Sequence, residues 1–362
     1  MIRRFKQYKQ LAGNLFFLSI NKFVDLGIPI IILPFLISKV GMYNYGIYAF
    51  AGSIFTYLLN ITSYGFALSA VREISLHRDD SKRVNIIFNR VFSTKLLLVV
   101  LSVIFLLLLI TIFPEIAKYK IIYYCFTLMI VADLFNTSWY FYGIEKMGFI
   151  TMINTISKST FVILALFFIK KESDFQYIAF YQLIGYLLAS IGCIILITTK
   201  FKIRLRIAPY IEIKNELIKG FSSFLSLVSP TLYSTFAIFI VGLFGSPIHV
   251  TIITTSVRLS AIFSGLNTIM TNVFYPYIVR NRNKELLVKR IFIYSGILLS
   301  IILFILTEFI LKIWVGDSII GTNFRDLVFI TQILCLSPLL MSFVSAYGIN
   351  GLLVNQKDHL FG

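Results

Sequence analysis

Charge is what this sequence has least of. Only 14% of its 362 residues are charged, against 58% hydrophobic, and the mean hydropathy is +0.87. A soluble domain carries roughly 25% charged residues, so a soluble globular chain is excluded. Histidine and cysteine are equally sparse, with three of each. His77, His249 and His359 stand alone in or beside loops, and Cys125, Cys193 and Cys335 are scattered through apolar runs. That leaves no metal-ligand cluster, no disulfide framework and no nucleophile–base pair, so neither a metal nor any other cofactor is expected. A glycine-rich loop ending in Lys-Ser/Thr is also missing, which argues against ATP hydrolysis by this chain.

What the sequence does have is long apolar runs. Each bilayer crossing needs about 20 such residues, and ten candidate spans follow: 13–37, 44–70, 91–113, 121–142, 149–169, 177–199, 221–245, 249–279, 291–313 and 327–348. The first is interrupted by Lys22 and Asp25 and is followed by no small-residue cleavage pattern, so it reads as a retained helix rather than a signal peptide. The expected fold class is all-α, a polytopic membrane protein.

The net charge of +17 invites a nucleic-acid reading, but the distribution opposes it. Twenty-two Lys and Arg residues crowd the amino terminus and alternate loops, as in "VREISLHRDDSKRVNIIFNR", and only six lie on the other side. The positive-inside rule then places the amino terminus in the cytoplasm. The longest internal loop, 200–220, follows the sixth span and reads as a linker, in part an amphipathic helix on the membrane surface. It divides a six-helix lobe, 1–199, from a four-helix lobe, 221–362. Helix 7 echoes helix 1 in its early polar residues and mid-span proline, which suits a parallel repeat. The second lobe looks cut off before an eleventh and twelfth span.

Charges inside such spans cost roughly 2.5–3.5 kcal/mol each on insertion scales and usually face a cavity or one another. At about 100° per residue, Asn14, Asn21, Asp25 and Pro29 share an arc of helix 1, with Lys22 at its edge and spaced to pair with Asp25. Pro29 and Pro34 free backbone carbonyls that only protein or cavity water can satisfy, so this helix is expected to kink and to act as a gate, with Pro230 its counterpart in helix 7. Asp133 is expected to share a face with Thr137 and Tyr140, Lys158 with Thr151 and Asn154, and Arg258 with Thr251 and Thr254. Lys95, at the start of helix 3, is expected to reach the headgroups. Glu308 and Lys312 are expected to form a structural pair.

The stretch "LPFLISKVGMYNYGIYAFAGSIFTYLLNITSYGFALSAVREIS", Leu33 to Ser75, resembles the start of the Wzx-type O-antigen and polysaccharide flippases. "NTSWYFYGIEKMGFITMIN" and "NVFYPYIVR" are similar to later parts of the same proteins, and the likeness covers essentially the whole chain. It implies a two-lobe exporter fold in the bacterial cytoplasmic membrane and an activity, moving undecaprenyl-diphosphate-linked oligosaccharide between leaflets by alternating access, with ion coupling. On that reading Asn21, Lys22, Lys158 and Arg258 would bind diphosphate or acidic sugar. Tyr57, Tyr64 and Trp139 would stack on sugar rings, and Asp25 and Asp133 would take the coupling ion. Partners would be the lipid-linked oligosaccharide, membrane lipids, a polysaccharide polymerase and a chain-length regulator. Two rivals stand beside it. A cation-coupled drug exporter would share the fold, though its cavity should be dominated by acids. A membrane polymerase or glycosyltransferase would need a larger extramembrane region than "WVGDSIIGTNFRD" provides.

Overall fold

The computed structural model describes residues 2–280, 284–316, 319 and 321–353, with side chains described between 13 and 348 apart from positions that include 229–234 and most of 268–283. Among these residues there is no strand. Eight helices are long and apolar enough to cross a membrane. One of them, Phe16–Ser63, is 48 residues long, and it holds the first two expected spans. They lie in α1 (Ile2–Ser63), two helical stretches that meet at a kink at Gly41, where φ is 78° and ψ 160°. A side chain there would enter the left-handed region that glycine alone adopts cheaply. The seventh expected span lies in α9 (Tyr210–Phe244), whose Thr235–Phe244 part is a shorter apolar helix.

Backbone proximity groups the chain into two units: Met1–Ile28 with Ile47–Phe239, and Pro29–Gly46 with Ile240–Gly362. The linker and the first part of α9 thus fall in the first unit, and the proline-bearing turns of α1 in the second.

The first unit holds α2 (Ser69–Leu76), α3 (Ser81–Ile112), α4 (Pro114–Ala117), α5 (Lys120–Asp133), α6 (Ser138–Gly143), α7 (Met147–Phe168) and α8 (Tyr177–Ile195). Asp80 caps α3, its Oδ1 accepting from the amides of Lys82 and Arg83 at 3.0 and 3.1 Å; such caps contribute about 1 kcal/mol. Its core is aromatic, with Phe66, Phe88 and Phe141 buried beside Trp139 and Tyr140. The helices α7 and α8 approach so closely at Gly185 that a Cβ there would lie 2.2 Å from the Ser157 carbonyl oxygen.

Two expectations change here. The span 121–142 is not continuous, because the chain leaves the helix between α5 and α6 at residues 134–137. Three carbonyls at this break are claimed by side chains: Ser190 Oγ donates to Ala132 O at 2.7 Å, and Lys95 Nζ donates to Asp133 O and to Asn136 O. The linker becomes helical only at Tyr210. Before that it runs extended along α3, where Asn85, Asn89 and Ser93, one helical turn apart, take the amides of Arg204, Arg206 and Ala208. Arg90 on the same helix holds two carboxylates, Glu73 and, at 2.6 Å, Glu216 of α9.

The second unit contains α10 (Pro247–Arg280), α11 (Glu285–Val315), α12 (Thr322–Leu334) and α13 (Leu336–Phe343). Pro34 has no N–H to offer the Ile30 carbonyl, and Trp314 Nε1 donates to that oxygen at 2.7 Å instead. The span 327–348 is likewise interrupted, at Cys335 between α12 and α13.

Candidate functional site

The helix α1 presents Asn14, Phe17, Asn21 and Asp25 at spacings of three and four residues, and α7 presents Met147, Thr151, Asn154 and Lys158 in the same rhythm. Residues so spaced share a helix face, and the two faces join rung by rung. Asn14 Nδ2 donates to the Glu145 carbonyl at 3.0 Å, and its Oδ1 accepts from the Met147 amide at 3.4 Å. Thr151 Oγ1 donates to Phe17 O at 2.8 Å. Asn154 Nδ2 donates to Asn21 Oδ1 at 2.9 Å, and Asn21 Nδ2 donates to Asp25 Oδ2 at 3.2 Å. The last rung is an ion pair between Lys158 Nζ and Asp25 Oδ1. Asn21 is buried, whereas the Asp25 and Lys158 side chains are each 35% exposed. The ladder is thus buried at the Asn21 rung and partly open at its charged end.

Of the predicted residues, Asn21, Asp25 and Lys158 come together here. The expected pairing of Lys22 with Asp25 does not form. Asp25 turns to Lys158, and Lys22 is exposed.

Asp133 occupies a different environment. Its Oδ2 lies 2.9 Å from Lys95 Nζ, and the two side chains are 11% and 4% exposed. The expectation that Lys95 reaches the headgroups fails because α3 begins at Ser81, not near residue 91. Lys95 therefore lies about four turns inside the helix, too deep for its stem to reach the end. Thr137, expected on the face of Asp133, instead meets Cys193 Sγ at 3.2 Å.

Arg258 belongs to the second unit and is exposed, while Thr251 and Thr254 are buried. Tyr57 packs edge-on against Phe239 at 5.5 Å. Tyr64 is committed internally: its ring stacks on Phe224 at 4.8 Å and its hydroxyl donates to Leu217 O at 3.0 Å. Trp139, the third aromatic expected to stack on sugar, is 5% exposed within the core. The side chain of Pro230 lies outside the described residues. Glu308 and Lys312 do not approach within ion-pair distance, although both are described; the ion pairs of the described residues lie elsewhere. No group of three or more His, Cys, Asp or Glu among the described residues gathers to hold a metal.

Sequence reasoning missed Lys95 as the partner of Asp133, and Trp314 as the donor to the carbonyl freed by Pro34. The proline spacing announced the freed carbonyl, but nothing in the primary sequence identified its donor.

Comparison with known proteins fits this picture of a polar-laddered helical membrane protein. Residues 11–282 match the family described as polysaccharide biosynthesis protein. A protein of Escherichia coli (strain K12), provisionally named an O-antigen transporter, is 27% identical over 359 residues, covering 97% of this chain and 85% of the relative. One from Shigella dysenteriae with the same provisional name is 25% identical over 221 residues, 60% of this chain and 54% of the relative. No solved structure matches. With its helical, membrane-spanning architecture and a family match extending over most of its length, the chain belongs to the polysaccharide biosynthesis protein family.

Proposed function

We propose that this protein is a flippase. It carries an undecaprenyl-diphosphate-linked oligosaccharide, the repeat unit of a surface polysaccharide, from the cytoplasmic to the periplasmic leaflet of the bacterial inner membrane. Its amino terminus is cytoplasmic, and it works by alternating access of two lobes, 1–199 and 221–362, joined by the linker 200–220. Family membership and the provisional names of the two relatives support this reading. One observation carries it: a half-open Asp25–Lys158 pair at the end of a polar ladder. An ion pair facing hydrocarbon would pay a large desolvation cost, so the open side of this one is best placed in a hydrated vestibule.

The chemistry follows. An incoming diphosphate competes with Asp25 for the Lys158 ammonium, with Lys22 as a further cation; Arg258, on the second unit, suits bidentate phosphate contact in its own right. Asp25, losing its counter-charge, then takes up the coupling cation or proton, and releases it when the diphosphate leaves and Lys158 returns. Tyr57 stacks on a sugar ring with a face that Phe239 does not cover. Asp133 already has a buried partner in Lys95, so Asp25 is the better coupling carboxylate. Pro29 and Pro34, each lacking an N–H, are the points at which the gate yields.

The test is deletion of the gene in a strain with no second transporter of this type. Lipid-linked repeat units should accumulate on the cytoplasmic leaflet, and surface polysaccharide should disappear. The wild-type gene should restore it; D25N and K158M should not, though both insert in the membrane. Normal surface polysaccharide in the deletion strain overturns the proposal.

A further inference from the structure

In the second unit, α10 presents Ser256, Ser260, Ser264 and Asn267 along one face, three or four residues apart. This face meets the junction of α12 and α13. Thr331 Oγ1 donates to Ser256 Oγ at 2.9 Å. Ser260 Oγ donates to Leu334 O at 3.0 Å and also meets Ser337 Oγ. Ser264 Oγ lies 3.2 Å from the same Ser337 Oγ, and Asn267 Nδ2 donates to Pro338 O at 2.8 Å.

Two features mark this seam as more than packing. Pro338 has no N–H to give the Leu334 carbonyl, which sits at the C-terminal end of α12, where the helix dipole concentrates negative charge. And Asn267 is 0% exposed, yet its Oδ1 has no hydrogen-bond partner. A buried acceptor left unpaired costs roughly 1–3 kcal/mol unless something fills it.

We propose that this seam binds a sodium ion, with Leu334 O, the hydroxyls of Ser260, Ser264 and Ser337, and Asn267 Oδ1 as its five oxygen ligands. The donor set selects a monovalent cation. All five oxygens are neutral, so no carboxylate is available to take a proton in its place or to balance a divalent cation, which needs charged ligands. Freed carbonyls and half-helix C-terminal ends are also the kind of group that holds sodium in interrupted membrane helices. On binding, the serine hydroxyls turn their lone pairs to the ion and donate their O–H hydrogen bonds to carbonyls one turn earlier, a bond serine readily makes within helices. Ser264 and Ser337 are only half-buried, which gives the side of access. That this sodium assists transport, beside the ion taken up by Asp25, rests on the flippase reading; that it binds does not.

The test uses the purified full-length chain in detergent. The wild-type midpoint of thermal unfolding should rise saturably with sodium chloride relative to choline chloride at equal concentration, and less with potassium chloride. The chain should also retain radioactive sodium. N267L and S337A should lose the saturable rise, and S264A should weaken it; three variants keep the test open if one fails to fold. Equal midpoints in sodium and choline chloride for the wild type, or a full sodium response in all folded variants, overturns the site. Sodium binding together with normal surface polysaccharide in the deletion strain would sink the flippase reading and leave the site standing.

Discussion

At the scale of single residues, this protein sets two Asp–Lys pairs in contrasting surroundings. Lys95 and Asp133 are 4% and 11% exposed, whereas Asp25 and Lys158 are both 35% exposed. Removing one partner of a buried pair leaves an uncompensated charge and costs about 3–5 kcal/mol. K95M should therefore lower the unfolding midpoint of the purified protein sharply, and K95M/D133N should recover part of the loss, because no lone charge remains. K158M should leave that midpoint nearly unchanged, since water can solvate Asp25 where the pair is open. Equal destabilisation by K95M and K158M would mean the two pairs do the same structural job. The sequence showed that Lys158, Asp133 and Asp25 lie at depth. It could not rank them, because burial and partner choice depend on which helices lie alongside.

At the scale of elements, the helices are shaped by where they break and where they touch. Gly41 is the bend of α1, and prolines free the carbonyls of Ile30 and Leu334, each taken up by a side chain from another helix. Periodicity identified apolar spans but merged each interrupted pair into one, since residues 134–137 and Cys335 carry no glycine and only Pro338 stands near as a warning. The helices α7 and α8 touch at Gly185, where a Cβ would sit 2.2 Å from the Ser157 carbonyl, while Gly192 on the same helix has nothing within 4 Å. G185A should force α7 and α8 apart at about 1–3 kcal/mol, the usual cost of overpacking. G192A should be neutral or slightly stabilising through helix propensity. Thermal unfolding of the two variants side by side checks this, and equal midpoints would refute the close packing.

At the scale of the whole molecule, the segment 203–208 and the start of α9 are fastened to α3 by Asn85, Asn89, Ser93 and Arg90. Glu216, 3% exposed, is the buried end of that fastening. Its burial pushes the carboxyl above its ordinary value of 4.5, and the attraction of Arg90 only partly offsets the effect. A raised carboxyl favours folding while protonated, so its contribution is complete below pH 4.5 and is lost as pH rises through the raised value. Measured across that window, wild-type stability should fall with rising pH more steeply than that of E216Q. Parallel curves would mean that Glu216 titrates as it does in the unfolded chain.

Composition alone determined that this chain lives in a bilayer, because so little charge over so many apolar residues leaves no other solvent for it. Spacing along α1 and α7 also placed Asn21, Asp25 and Lys158 on usable faces, since a helix turns at a constant rate. Tertiary structure decided the rest: that Asp25 pairs with Lys158 rather than Lys22, that Lys95 is buried, and that Asn267 keeps an oxygen unpaired. Those outcomes depend on distances between helices far apart in sequence, and periodicity within one helix contains no information about its neighbour.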